Sequence, residues 1–133
     1  FEASDFLPFA AGIAAGEGTT AVLVSHNIMA AVDDALPASL SPAVHDLLRT
    51  ELGFDGVVMT DDLAMDAVAA YAADGSAAVL ALQAGNDLLI TTDYRVQIPQ
   101  VLQAAEDGVL SAGTIETACR RVLTWKQALG LLD

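Results

Sequence analysis

Cysteine, lysine and histidine are scarce in this chain, and each scarcity narrows what it can be. The one cysteine, Cys119, rules out an intrachain disulfide and with it a small disulfide scaffold. Inside an apparent helix beside Arg120 and Arg121, it reads as a buried or half-buried structural thiol. Lys126 is the sole lysine, and five basic residues face eighteen acidic ones for a formal net charge of −13. That balance argues against nucleic acid and against an anionic membrane surface as partners. The acidity itself is that of a solvated surface and carries little information about substrate. Two histidines and one cysteine, dispersed along the chain, give no metal-ligand spacing, and the expectation is a protein without metal or cofactor. No run reaches the ~18 apolar residues of a membrane span. The first residues lack the basic stretch and apolar core of an export signal, and a start at Phe1 without an initiator Met suggests a processed product or a fragment.

What is present is apolar. Hydrophobic residues make up 54% of the 133, enough to build one core and to exclude disorder of the whole chain. One domain, or part of one, is the expected content. Thr20 to Ser25 is a strand by its β-branched composition, with His26-Asn27 directly at its end. Gly56 to Thr60 and Asp87 to Thr92 are the second and third strands. Helical stretches lie between and around them. Ala10 to Ala15 is broken by Gly16 and Gly18, and Pro42 to Leu52 is capped by Ser41 and stopped at Gly53. A short turn at Ala67 to Tyr71 precedes Ser76 to Ala84, which Gly85 stops, and Val96 to Glu106 ends at Gly108. A last helix is expected from Thr114, its cap, with apolar positions at Ile115, Ala118, Val122 and Trp125, closing in Leu129-Gly130-Leu131-Leu132-Asp133. Each strand is followed by a helix and the connections are too long for hairpins, so the strands should be parallel.

The densest chemistry is in Leu52 to Asp66, where Val57-Val58-Met59-Thr60 leads into Asp61-Asp62. Carboxylates at the C-terminal end of a buried strand stand where parallel α/β folds keep their active sites. Taken alone, the Asp61-Asp62 pair reads first as a loop and helix-cap signal. A doubly wound nucleotide-binding domain is disfavoured, since neither Gly-x-Gly-x-x-Gly nor Gly-x-x-x-x-Gly-Lys-Ser/Thr occurs.

The longer string decides between these. Ala38-Ser39-Leu40-Ser41-Pro42, Leu47 to Gly56 and Met59-Thr60-Asp61-Asp62-Leu63-Ala64-Met65 together resemble glycoside hydrolase family 3. The closer branch is that of the β-N-acetylglucosaminidases, because the β-glucosidases usually carry Trp where Asp62 stands. The resemblance implies an α/β fold, the C-terminal portion of a (β/α)8 barrel: about three βα units of the eight that close one in about 250 residues. It makes residues 1–133 a partial catalytic domain and Asp5-x-Leu7-Pro8-Phe9 the entry to a barrel helix.

By the same resemblance Asp61 is the catalytic nucleophile, with Thr60 in place of the more common Ser. Asp62, on the other face of an alternating strand, is expected to hold the following loop instead. His26 resembles the family's strand-end His and is a candidate for lining the sugar site, as is Met65 near the pocket floor. His45, in a helix, is a surface or packing residue. Asp87, at a strand entry, is structural, whereas Thr91, Thr92 and Asp93 stand at the cleft end. The family's His–Asp acid/base string has no counterpart here, so that role falls to sequence upstream. The implied activity is retaining hydrolysis of terminal β-linked N-acetylglucosamine from glycans or cell-wall muropeptides, with carbohydrate as partner. The alternative is a catalytically incomplete assembly or sugar-binding module that self-associates or needs the upstream half of the barrel, since three parallel strands leave two open edges.

Overall fold

The computed structural model describes residues 2–16, 18–72 and 76–132; Phe1 and Asp133, which bound the first and last expected segments, lie outside them. Among the described residues the order is α1 (Leu7–Ala15), β1 (Val22–Val24), α2 (Pro42–Thr50), β2 (Val58–Asp62), α3 (Asp66–Ala69), α4 (Ala77–Ala84), β3 (Leu88–Ile90), α5 (Tyr94–Glu106) and α6 (Ala112–Ala128), with short 3-10 turns at Ala3–Phe6 and Ala38–Leu40. The three strands form one sheet in the order β1-β2-β3, and both pairings are parallel. β2 is therefore the central strand.

Strand alternation divides the sheet into two unlike faces. Val24 and Val58 are buried in a cluster with Val44 and Leu48 of α2 and with Phe54. Leu89 packs on the clusters built by α4 and α5. Burying side chains such as Val57 and Val58, which have no accessible surface, is worth roughly 1.5–3 kcal/mol each. The opposite face carries the register row Leu23, Met59 and Leu88. Leu23 is 51% exposed and Met59 and Leu88 are half-buried, and none of the three belongs to the clusters built with the helices. A sheet with helices packed on one face and a partly exposed apolar row on the other is an arc of a barrel wall.

Helix α4 is apolar around most of its circumference, with Ala77, Ala78, Ala81, Leu82 and Ala84 buried, because it packs against α2, α5 and α6 together. Its stop is Gly85, in the left-handed region at φ 114°. Helix α2 starts as its sequence requires: Ser41 Oγ accepts the Val44 N–H and Pro42 occupies the first turn.

Several expectations need correction: β1 and β3 are shorter than expected, Val22–Val24 and Leu88–Ile90, and α5 begins at Tyr94 rather than Val96. The first helix begins at Leu7 rather than Ala10, since Pro8 is preorganised for a first turn. The cap of α6 is Ser111, whose Oγ accepts the Thr114 N–H at 3.0 Å; Thr114 lies inside the helix. Cys119 is exposed rather than buried, because α6 turns its neighbour Ala118 inward and the next residue lies about 100° around the helix. β2 runs two residues further than expected and includes both carboxylates.

Candidate active site

That extension comes from a bulge. Between β2 and β3 the register passes from Met59↔Leu88 to Asp62↔Ile90, three steps on one strand against two on the other. The extra residue falls at Thr60-Asp61. The amide of Ile90 is met by the Thr60 side chain, whose Oγ1 accepts it at 3.0 Å. Bulges bend a strand and re-aim a side chain, and they gather beside active sites. Here the re-aimed residue is Asp61, at the C-terminal end of the central strand.

Asp61 is half-buried and its Oδ1 accepts the N–H of Asp62 at 2.8 Å. Among the described residues no hydrogen-bond donor reaches Oδ2. Asp62 holds the surroundings. Its Oδ1 accepts the N–H of Ala64 and that of Thr92, both at 3.0 Å, so one carboxylate oxygen ties its own loop to the loop after β3. These bonds, Ala64 first and Thr92 second, hold the Asp62 carboxyl below its ordinary 3.8. Loop-holding is the role expected of Asp62, although the bulge rather than simple alternation sets it apart from Asp61.

His26 stands two residues beyond β1. Its Nε2 lies 2.9 Å from the carbonyl oxygen of Asp62 and its Nδ1 lies 2.7 Å from Ser39 Oγ. A carbonyl can only accept, so Nε2 carries the proton, and in the neutral ring Ser39 donates to Nδ1. Ser39 is fully buried, and its carbonyl accepts from Asn86 Nδ2 at 2.8 Å. The same Nδ2 donates to Ala81 O at 2.8 Å. Ser39 and Asn86 were not singled out for a role by sequence reasoning. Ser39 lies within a family-like string, but nothing local distinguishes its hydroxyl from that of Ser41.

Met65 is 45% exposed and immediately precedes α3, three residues beyond the end of β2. His45 is buried against Gly85, a packing residue. Among the described residues no three of His, Cys, Asp and Glu are grouped to hold a metal ion, and no helix is long and apolar enough to cross a membrane.

The other ends of the strands are built for stability. Asp87 accepts the Val58 N–H at 2.9 Å and pairs with Arg49 at 2.7 Å and Arg121 at 3.2 Å. Arg49 also donates to the carbonyls of Phe54 and Gly56. Burial pulls the Arg49 guanidinium below its ordinary value, and the Asp87 charge opposes this. A concavity of about 710 Å³ opens here, lined by Asp55, Glu116, Arg121 and Trp125 among others. It lies at the opposite end of β2 from Asp61, roughly 15 Å along the strand.

The sequence model of the glycosyl hydrolase family 3 N-terminal domain matches residues 1–125. A β-hexosaminidase of Stenotrophomonas maltophilia is 37% identical over 131 residues, 96% of this chain and 36% of its own. Among solved structures, a family 3 β-N-acetylglucosaminidase from Paenibacillus superposes with a TM-score of 0.82 at 39% identity, covering 93% of this chain and 24% of that one. A β-N-acetylhexosaminidase from Beutenbergia cavernae gives 0.76 at 39% identity over 90% of this chain and 36% of its own. The chain thus spans about a third of the length of the curated relatives it matches, 33% and 36% for two of them. Its parallel strands and their helices are βα units of the barrel-type domain those proteins share, and the chain belongs to glycoside hydrolase family 3.

Proposed function

We propose that this segment supplies the nucleophile for retaining hydrolysis of terminal β-linked N-acetylglucosamine from glycans such as cell-wall muropeptides. Asp61 Oδ2 attacks the anomeric carbon as the glycosidic C–O bond breaks, and an acid from outside these residues protonates the leaving oxygen. Water, deprotonated by that same group, then attacks the glycosyl-enzyme and releases the sugar with retained configuration. The observation that carries this reading is the placement of Asp61 on a bulge at the C-terminal end of the central strand, with one oxygen held by Asp62 N–H and no donor on the other among the described residues. The names of the relatives support the sugar assigned.

The test is hydrolysis of an aryl β-N-acetylglucosaminide by the full-length polypeptide that carries residues 1–133, beside Asp61→Asn. An activated leaving group needs little acid assistance, so the result reports mainly on the nucleophile. Turnover that falls by at least about 10³-fold in Asp61→Asn supports the assignment. Equal turnover of the two proteins would refute it.

The partly exposed apolar row Leu23, Met59 and Leu88 favours a second reading for the isolated segment. An apolar sheet face flanked by two open edges seeks a partner. On that reading the segment is a catalytically incomplete assembly or sugar-binding module. A dimeric or larger mass for residues 1–133, without turnover, supports it, and an active monomer counts against it.

A further inference from the structure

We infer that His26 is a positioning residue for the nucleophile and not a ligand of the sugar; this rests on the reading of Asp61 given above. The backbone ladder between β1 and β2 has its last pair at Val24↔Thr60. Two residues further, in the same register, His26 faces Asp62, and there the imidazole replaces the missing backbone bond by donating from Nε2 to the Asp62 carbonyl. The side chain thus extends the sheet to the level of the catalytic carboxylate.

The residue so tethered is the one that orients Asp61. Asp62 gives its N–H to Asp61 Oδ1 and its carbonyl to His26, and its carboxylate takes the amides of Ala64 and Thr92. β1 is held through the ring and the loop after β3 through the carboxylate, so Asp62 is braced from both sides. Without His26 the tie to β1 is lost: the Asp62 carbonyl keeps the Met65 N–H at 3.1 Å and the Leu63 N–H keeps Ile90 O at 2.9 Å, so only the β3 side and the following turn still align Asp62 and, through its N–H, Asp61 Oδ1.

The ring is itself fixed from behind. Ser39, with no accessible surface, bonds Nδ1 at 2.7 Å, and Asn86 holds the Ser39 carbonyl in turn. With both ring nitrogens committed within the protein, a sugar hydroxyl could reach His26 only by displacing Ser39 or the Asp62 carbonyl.

The experiment compares His26→Phe, His26→Gln and Ser39→Ala with wild type in the full-length protein, after thermal unfolding has shown which are folded. kcat and KM are read on an aryl β-N-acetylglucosaminide. The rate of glycosyl-enzyme formation is read by mass spectrometry with an activated, slowly turned-over glycosyl fluoride. His26→Phe is expected to lower kcat and the labelling rate ~10- to 100-fold, with KM within about twofold. His26→Gln, whose amide offers an N–H and a carbonyl in one plane, recovers much of that loss, and Ser39→Ala falls between Phe and wild type. A raised KM at unchanged kcat makes His26 a sugar ligand and overturns the inference, as do wild-type rates in every folded variant. If His26→Phe does not fold, Ser39→Ala decides: reduced kcat at constant KM supports the inference and wild-type kcat overturns it. A wild-type adduct on a residue other than Asp61 overturns the underlying reading and this one with it, whereas an adduct on Asp61 at equal rates in all variants overturns this one alone.

Discussion

The hydroxyl of Thr60 accepts the amide of Ile90 at 3.0 Å where the β2–β3 register slips by one residue. A bulge leaves a backbone donor without its regular partner, and here the side chain preceding Asp61 satisfies it. Thr60 is fully buried. Thr60→Val keeps the shape but strands the Ile90 N–H, and is expected to destabilise by ~1–3 kcal/mol. Thr60→Ser keeps the bond and removes one methyl, at ~0.5–1.5 kcal/mol. Urea unfolding followed by Trp125 fluorescence compares them; a Val variant as stable as the Ser variant means the hydroxyl does not close the bulge.

Asp87 joins Arg49 and Arg121 at the opposite end of the sheet, with its side chain only 3% exposed. Asp87→Ala leaves the Arg49 guanidinium half-buried without its counter-charge and removes the acceptor for Val58 N–H, an expected loss of ~3–5 kcal/mol. The Arg121–Asp55 pair, with Asp55 91% exposed, should contribute at most about 1 kcal/mol, and less in salt. Denaturation of Asp87→Ala and Asp55→Ala at low and high salt separates the two; similar losses contradict this picture.

Asp33 Oδ2 accepts the Ser41 hydroxyl at 2.6 Å, and Oδ1 accepts the amides of Ala35 and Leu36. The Ser41 bond, followed by that from Ala35, holds the carboxyl below its ordinary 3.8. A depressed carboxylate stabilises the fold above its unfolded value and loses that contribution as pH falls through the folded value. The window therefore lies below about pH 4. NMR titration of the Asp33 carboxyl should give a value under 3.8 that rises in Ser41→Ala. No rise in that variant means another group sets it.

Gly85 ends α4 at φ 114°, and a Cβ there would stand 3.3 Å from that of His45. Gly85→Ala is expected to cost about 1–2 kcal/mol from the backbone alone. Because helix and strand meet at this point, the β3 register should loosen as well. Hydrogen exchange at the Asp87 amide, which bonds Val58 O at 2.8 Å, would show it; unchanged protection with unchanged stability would count against the account.

Local signals revealed most of the scaffold. Ser41-Pro42 marked the start of α2 and Gly85 the end of α4, because caps and left-handed stops depend on the residues beside them. The β-branched run of β2 and the spacing of helices between strands led to a parallel sheet. Boundaries moved where neighbours in space intervened: β2 runs on through Asp62 because β3 pairs with it there, across a bulge that no local pattern announces. Cys119 was misplaced for a related reason, since a lone small side chain in a helix does not state which way it will face.

By itself the sequence determined the α/β class, the order of elements and the position of Asp61 at a strand end, because periodicity, capping and a long motif are properties of adjacent residues. Tertiary structure alone decided how that carboxylate is presented. The His26–Asp62 bond spans 36 positions, the Thr60–Ile90 bond 30 and the Asn86–Ser39 bond 47. Hydrogen bonds over such separations exist only once the strands have paired, since until then the entropy of the intervening chain keeps the partners apart.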